Sequence, residues 1–177
     1  MLSVTSIPEA LDELPPEPGF VVLMCGVAGS GKTTFSQQLA ARGFARISID
    51  EMIWNSAGRY GLDYPPEAYG EKVSAAREAL KLEVLKLLAR RQSVVVDSAF
   101  WNRAHRQSFA ALVASNGGHH RIVYLKASKA TLQARLEKRR SRFDANAALP
   151  IDDDLLERFL ETFEEPDAAE RPLVVLV

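Results

Sequence analysis

The chain has 177 residues and a formal net charge of −1, with 22 basic residues against 23 acidic ones. This length suits one domain, and a hydrophobic fraction of 47% excludes a disordered or collagen-like chain. The balanced charge argues against broad attraction to nucleic acid or anionic lipid, and the single cysteine, Cys25, excludes an internal disulfide. No apolar run is long enough to span a bilayer, and the N-terminus lacks the basic start of a signal peptide, so we expect a cytoplasmic protein.

The first half of the chain predicts two strands separated by a helix. Residues 1–19 contain four prolines, so at most one short helix fits there, at Ile7–Leu14, and we interpret the segment as an N-terminal extension. The apolar run Phe20–Cys25 predicts a strand that is buried on both faces, and a glycine-rich loop and a helix follow it. Phe44–Ile49 predicts a second strand. Residues 57–70 then form an unusually long loop, of the kind that is often functional.

The second half continues the alternation of helices and apolar strands. Helices are predicted at 68–90, 103–115, 129–142 and 152–163, and strands at 93–97, 121–125 and 173–177. Strands that are apolar throughout are typical of a parallel sheet with helices on both faces. The predicted fold class is therefore α/β, with residues 20–177 forming one domain.

The glycine-rich loop after the first strand fits the phosphate-binding pattern G-x-x-x-x-G-K-[ST] without a gap, from Gly26 to Thr33. Its glycines let the backbone curl with N–H groups pointing inward, and the following helix adds partial positive charge at its N-terminus. Lys32 suits the β- and γ-phosphates of a nucleotide, and the Thr33 hydroxyl suits Mg²⁺. The residues predicted to hold the nucleotide are Gly26, Gly29, Ser30, Gly31, Lys32, Thr33 and Thr34.

Two aspartates follow apolar strands, at the edge of the sheet where ligands of such folds bind. Asp97 ends the third strand, where a carboxylate commonly orients Mg²⁺ or its waters, and a simple strand-end turn is the alternative. Asp50 ends the second strand. It suits two roles equally, the N-cap of a short helix at Glu51–Asn55 or a catalytic carboxylate.

The helix predicted at 129–142 is strongly basic. Its clustered cations are Arg135, Lys138, Arg139, Arg140 and Arg142. Arg135 and Arg139 are four residues apart and therefore share one face. Such charges either pair with the acidic residues 152–157 or fold over nucleotide phosphates as a lid. We favour a lid at about residues 135–150.

Together these stretches resemble the nucleoside-monophosphate-kinase-like branch of P-loop proteins, and within it the small predicted kinases related to zeta toxins, chloramphenicol phosphotransferase and phage polynucleotide kinase. The resemblance covers the chain from residue 20 onward, and its motifs are Gly26–Thr34, Ile47–Glu51, Val94–Ser98, Arg135–Arg139 and Leu149–Asp152. It implies a five-stranded parallel sheet with the phosphate-loop strand central, ATP as phosphoryl donor and a hydroxyl as acceptor. It also implies that Asp50 is the general base and that Arg135 and Arg139 are the lid arginines.

The region of the acceptor departs from the polynucleotide kinases. Three places after the base those enzymes carry a basic residue, whereas this chain has Ile53, followed by Trp54. The resemblance therefore implies an apolar and aromatic pocket, although Trp54, Phe100 and Trp101 also suit ordinary core packing. Arg103 and Arg106, three residues apart on one predicted helix, suit an anionic group of the substrate and suit ion pairs equally well.

The favoured function is an ATP-dependent phosphotransferase that acts on a hydroxyl of a small molecule. The predicted catalytic residues are Lys32, Asp50, Arg135 and Arg139, the substrate-binding residues are Asp50, Trp54, Asp97, Arg103 and Arg106, and the Mg²⁺ residues are Thr33 and Asp97. The alternatives are a stand-alone P-loop ATPase or switch and a zeta-toxin-like kinase of a nucleotide sugar. Neither a nucleic acid nor a membrane is an expected partner.

Overall fold

The computed structural model describes residues 4–177, and its strands form one sheet in which every neighbouring pair is parallel. The strands are β1 (Val4–Thr5), β2 (Phe20–Cys25), β3 (Ala45–Ser48), β4 (Val94–Asp97), β5 (His119–Lys126) and β6 (Leu173–Leu176). The helices are α1 (Ile7–Asp12), α2 (Lys32–Ala41), α3 (Ile49–Ala57), α4 (Tyr69–Ala89), α5 (Arg103–Ser115), α6 (Lys129–Arg139) and α7 (Asp153–Thr162). The order across the sheet is β1-β6-β5-β2-β4-β3, so β2 lies in the interior, as predicted.

Strand β2 is buried along its whole length because helices cover both faces of the sheet. Successive side chains of a strand point to opposite faces, and those of β2 enter two different cores. Val21 and Leu23 belong to the core that also contains residues of α4 and α5, whereas Val22 and Met24 belong to the core that contains residues of α1 and α2. Water meets neither face, which explains why the strand is apolar throughout.

Within residues 4–177 the sheet has six strands, and the prediction of five was wrong by one short edge strand. In β1, Val4 lies opposite Val174 of β6 in a parallel pair. Two residues are too few to show an apolar period, so no sequence pattern marked this strand. Helix α1 follows and buries Ala10 and Leu11 in the core. The segment that we interpreted as an N-terminal extension therefore adds a strand to the sheet and side chains to the core.

Helix α6 ends at Arg139, three residues earlier than the basic pattern predicts. The chain then turns and forms a short 3₁₀ helix at Ala145–Ala147 before α7 begins. In the part of the chain from residue 4 onward, no helix has both the length and the apolar character needed to cross a membrane.

Candidate active site

A pocket of about 620 Å³ opens beside the carboxyl ends of the central strands. Two groups of residues line it, and they come from different elements. We call the pocket-facing residues of the loop 26–31, of the start of α2 and of α6 the phosphate side. We call the rings of Trp54, Tyr60, Tyr64, Tyr69, Phe100 and Trp101 the aromatic side. Parallel strands of an open sheet place their ligands at this edge, so the fold brings the two groups to one cavity.

The loop 26–31 leads from β2 into α2 through glycines with positive φ. Gly26 has a φ of 142°, and a Cβ at this position would lie 2.7 Å from both the Leu125 carbonyl oxygen and Ser30 Oγ. Gly31 has a φ of 100° and directly precedes Lys32, the first residue of α2. Only glycine adopts such a path without strain, and the path ends at a helix N-terminus, which attracts anions.

Lys32 folds back over the loop. Its Nζ donates a hydrogen bond to the Val27 carbonyl oxygen at 2.9 Å. Burial lowers the pKa of Lys32, and the nearby carboxylates of Asp97 and Asp50 oppose this effect. An ammonium group held by a neutral carbonyl gains a stronger, charge-assisted partner when a phosphate arrives.

We therefore expect Lys32→Ala to weaken ATP binding by at least about tenfold, since losing a hydrogen bond to a charged group costs roughly 1.5–3 kcal/mol. Isothermal titration calorimetry measures this affinity directly. Lys86→Ala is the control, because Lys86 lies on the exposed surface of α4 and pairs with Glu83. Equal affinities for the wild-type protein and a folded Lys32→Ala variant would contradict the assignment.

Asp50 lies in the first turn of α3 and lines the same pocket as Lys32. The N-cap of this helix is Ser48, whose Oγ accepts the Glu51 backbone N–H at 3.4 Å, so the interpretation of Asp50 as a cap was wrong. Asp50 is exposed to the solvent of the pocket, and nearby protein atoms partly bury its carboxylate. This burial raises the pKa of Asp50, while the charge of Lys32 pulls it down. The carboxylate is therefore more basic than that of an ordinary aspartate.

Asp97, at the end of β4, is only 5% exposed and is held by two donors. Its Oδ2 accepts from Arg46 Nη2 at 2.6 Å and from Ser36 Oγ at 3.1 Å. Arg46 also donates from Nη1 to Glu51 Oε1 at 2.8 Å, so it links the end of β4 to the first turn of α3. No motif marks Arg46, because its position in the middle of β3 carries no chemical signature in the sequence.

Thr33 and Asp97 both line the pocket and together offer a hydroxyl and a carboxylate oxygen. Mg²⁺ takes oxygen ligands of this kind and keeps several of its waters. The hydrogen bonds from Arg46 and Ser36 both reach Oδ2 of Asp97. The residues thus fit a hydrated Mg²⁺ that is shared with nucleotide phosphates.

The pocket-facing arginines of α6 contact backbone carbonyls. Arg135 Nη1 lies 3.4 Å and 3.3 Å from the carbonyl oxygens of Gly29 and Ser30, and Arg139 Nη2 lies 3.4 Å from that of Leu149. Among residues 4–177, neither guanidinium forms an ion pair; α6 is instead joined to α7 by Lys129 and Glu157. Burial lowers the pKa of Arg139, and the charge of Asp50 opposes it.

The three tyrosines of the aromatic side are packed edge to face. The Tyr60 ring lies 6.2 Å from that of Tyr64 and 5.5 Å from that of Tyr69, between centroids. Trp101 packs against Phe159 of α7 at 5.7 Å. Trp54, which the sequence predicts to bind the substrate, is half-buried in this wall. No motif marks the tyrosines, which lie within residues 57–70, the long loop of the kind that is often functional.

Arg103 and Arg106 do not line this pocket, although the predicted role in substrate binding would require them to do so. Arg103 forms an ion pair with Asp167 at 2.9 Å. Arg106 is 1% exposed and binds the Glu170 carboxylate with two hydrogen bonds, of 2.7 Å and 2.9 Å. Its Nη1 also donates to the Phe100 carbonyl oxygen at 3.0 Å, so Arg106 supports the aromatic side from behind.

Comparison with known proteins gives the class of the chain. Residues 21–166 match the model of a family described as an AAA domain, and the chain belongs to this family of P-loop proteins. It is also 31% identical over 77 residues to a UPF0200 protein from Pyrobaculum aerophilum, a match that spans 44% of this chain and 44% of that protein.

Solved structures with this fold include small kinases. A predicted kinase from Chloroflexus aurantiacus is 21% identical with a TM-score of 0.70, over 91% of this chain and 85% of that one. A gluconokinase from Sinorhizobium meliloti is 26% identical with a TM-score of 0.59, over 91% and 84%. Kti12 from Chaetomium thermophilum, solved with ADP-AlF3, is 18% identical with a TM-score of 0.64, over 89% and 88%. The predicted resemblance to the kinase-like branch of P-loop proteins is thereby confirmed.

Proposed function

We propose that the protein is an ATP-dependent phosphotransferase that moves the γ-phosphoryl group of ATP onto a hydroxyl of a small molecule. The observation that supports this most is the presence of Lys32 and Asp50 in one pocket. Lys32 begins the helix that follows a phosphate-binding loop, and Asp50 is a carboxylate of raised pKa on a different element. An alcohol is a weak nucleophile at neutral pH, so its transfer chemistry benefits from such a base.

In the proposed reaction the hydroxyl oxygen of the acceptor forms a bond to the γ-phosphorus of ATP. The bond between that phosphorus and the β–γ bridging oxygen breaks, and its electrons leave with ADP. Asp50 accepts the hydroxyl proton, and the products are a phosphate ester and ADP. Lys32 binds the β- and γ-phosphates throughout the step.

Arg135 and Arg139 provide charge stabilisation in this proposal. Their guanidinium groups face the pocket and contact neutral carbonyls, so they are available to an anion. Negative charge on the transferring group is best stabilised by donors that are already oriented. Residues 135–150 would then act as the lid over the nucleotide. Mg²⁺, held through Thr33 and Asp97, would supply further neutralisation of the phosphates when bound.

The test separates transfer from hydrolysis. The protein is incubated with ATP that carries ³²P in its γ-phosphate and with panels of polyols, nucleosides and aromatic alcohols. We expect labelled phosphate ester with one class of alcohol and faster ATP consumption when that class is present. Label that accumulates only as inorganic phosphate, at a rate that no alcohol changes, would make the protein an ATPase and would overturn the proposal.

A further inference from the structure

We propose that the hydroxyl acceptor carries a planar aromatic group, which binds on the aromatic side of the pocket. This inference rests on the proposed transfer to a hydroxyl and names the class of molecule that bears it. Three features of the pocket carry it: the rings in its wall, the location of its charges and the fixed backbone of the loop after β4.

The first feature is the wall itself. Six aromatic side chains from α3, the following loop, the start of α4 and the loop after β4 line one cavity. Within it the Tyr60 ring is packed edge to face against its tyrosine neighbours, and Trp101 is packed in the same way against Phe159. Rings held in such geometries bind a further aromatic ring by stacking or by edge contact, gaining more than area burial alone supplies. Asp50, the proposed base for the acceptor hydroxyl, lines the same pocket.

The second feature is the distribution of charge. Most cations that line the pocket belong to the phosphate side, whereas the aromatic side is flanked by Arg77 and His105. His105 is stacked on Phe100 at 4.8 Å, and burial lowers the pKa of His105 to about 4, helped by the charges of Arg77 and Lys81. Its imidazole is therefore neutral at pH 7. A phosphorylated acceptor would need several charge-assisted donors here, so an uncharged aromatic body fits better.

The third feature is a strained and firmly held backbone. Phe100 has a φ of 41°, in the left-handed region that bulky residues rarely occupy. Its carbonyl oxygen accepts from the buried Arg106, and the carbonyl oxygen of Trp101 accepts from the Glu164 backbone N–H at 2.9 Å. Strain of this kind persists only where surrounding contacts hold it, and it concentrates at binding sites. The backbone that carries these two rings is thus fixed before a ligand arrives, which lowers the entropy lost on binding.

The inference is tested by binding, independently of catalysis. The probes are 2-naphthalenemethanol, an uncharged aromatic alcohol, and gluconate, a polyol carboxylate of the kind a gluconokinase uses. Each is titrated into the full chain with saturating ADP, and binding is followed by ligand-observed NMR. We expect 2-naphthalenemethanol to bind and gluconate not to bind.

Substitutions in the aromatic side test whether 2-naphthalenemethanol binds there. Trp101→Ala should weaken 2-naphthalenemethanol binding by at least about fivefold and leave ATP affinity unchanged, while Trp101→Phe should restore most of the binding. Leu62→Ala is the control, because Leu62 is 67% exposed and lies outside the pocket. If Trp101→Ala does not fold, Tyr60→Ala replaces it, with Tyr60→Phe as its conservative partner.

The outcomes separate this inference from the proposed function. Binding of gluconate alone, binding of neither probe, or binding of 2-naphthalenemethanol that the wall variants do not change would overturn the aromatic class. Phosphotransfer to a polyol would then still support the kinase assignment. Conversely, specific binding of 2-naphthalenemethanol in a protein that phosphorylates no alcohol would support the inference on ligand class and contradict the proposed function alone.

Discussion

Replacing Asp50 by asparagine is expected to lower phosphotransfer by about 10²–10⁴-fold, the range typical of a lost general base, while ATP affinity and melting temperature stay near the wild-type values. The substitution keeps the shape of the side chain but removes its negative charge and, with it, its ability to accept a proton. It also spares the helix, because Ser48 caps α3 and Asp50 does not. Initial rates of ester formation with the identified acceptor, together with calorimetry for ATP, measure the two effects separately.

The pH profile gives an independent view of Asp50. Burial raises its pKa, so the proton is taken up at a higher pH than in an ordinary aspartate. As the pH falls through this raised pKa, the base becomes protonated and kcat/KM decreases, and the acid limb should be absent from Asp50→Asn. Asp154→Asn is a matched control, since Asp154 occupies the same position in the first turn of α7. Full transfer activity in Asp50→Asn would show that the base lies elsewhere.

Arg139→Ala is expected to lower kcat by about 10²-fold or more, with a smaller change in the KM for ATP. In the proposed reaction, a guanidinium that already faces the pocket is most useful where negative charge develops in the transition state. Arg139 is suited to this because it faces the pocket, is partly buried and donates a hydrogen bond to the neutral Leu149 carbonyl oxygen. Steady-state kinetics of the variant, with thermal melting in parallel, provide the measurement.

Arg140→Ala is the control for this prediction. Arg140 is the next residue along the chain, is exposed and pairs with Glu137 at 2.6 Å, so its loss should leave kcat unchanged. If Arg139→Ala retains the wild-type kcat and loses only thermal stability, the basic helix supports the structure and has no part in the chemistry.

The parts of the fold that the sequence predicts are those with a local signature. Buried parallel strands such as β2 and β4 are apolar on both faces, and α5 has the predicted bounds because Asn102 caps it and its apolar stripe is regular. The edge strand β1 escapes prediction because two residues have no period. Its place depends on pairing with β6, more than 160 residues later.

The candidate site likewise contains residues that a local sequence pattern marks and residues that no such pattern marks. The phosphate loop is visible in the sequence because its backbone path requires glycines at fixed spacing next to a lysine. Arg46 and the tyrosines reach the site only through tertiary folding, and no short pattern marks them. The spacing of Arg103 and Arg106 indicates that they share a helix face, but it does not show which residues that face contacts. In the fold, Arg106 forms a buried ion pair with Glu170.

The loop after β4 is anchored through main-chain atoms, so its side chains can be exchanged without breaking the bonds that hold it. The carbonyl oxygens of Phe100 and Trp101 carry the bonds to Arg106 and Glu164, whereas the Trp101 side chain carries none of them. An exchange of that side chain alters the lining of the pocket and leaves its frame intact. In the proposed function, the scaffold therefore separates the phosphate chemistry from a replaceable surface for the acceptor, and a library confined to positions 54, 60 and 101 is a direct route to variants with new acceptors.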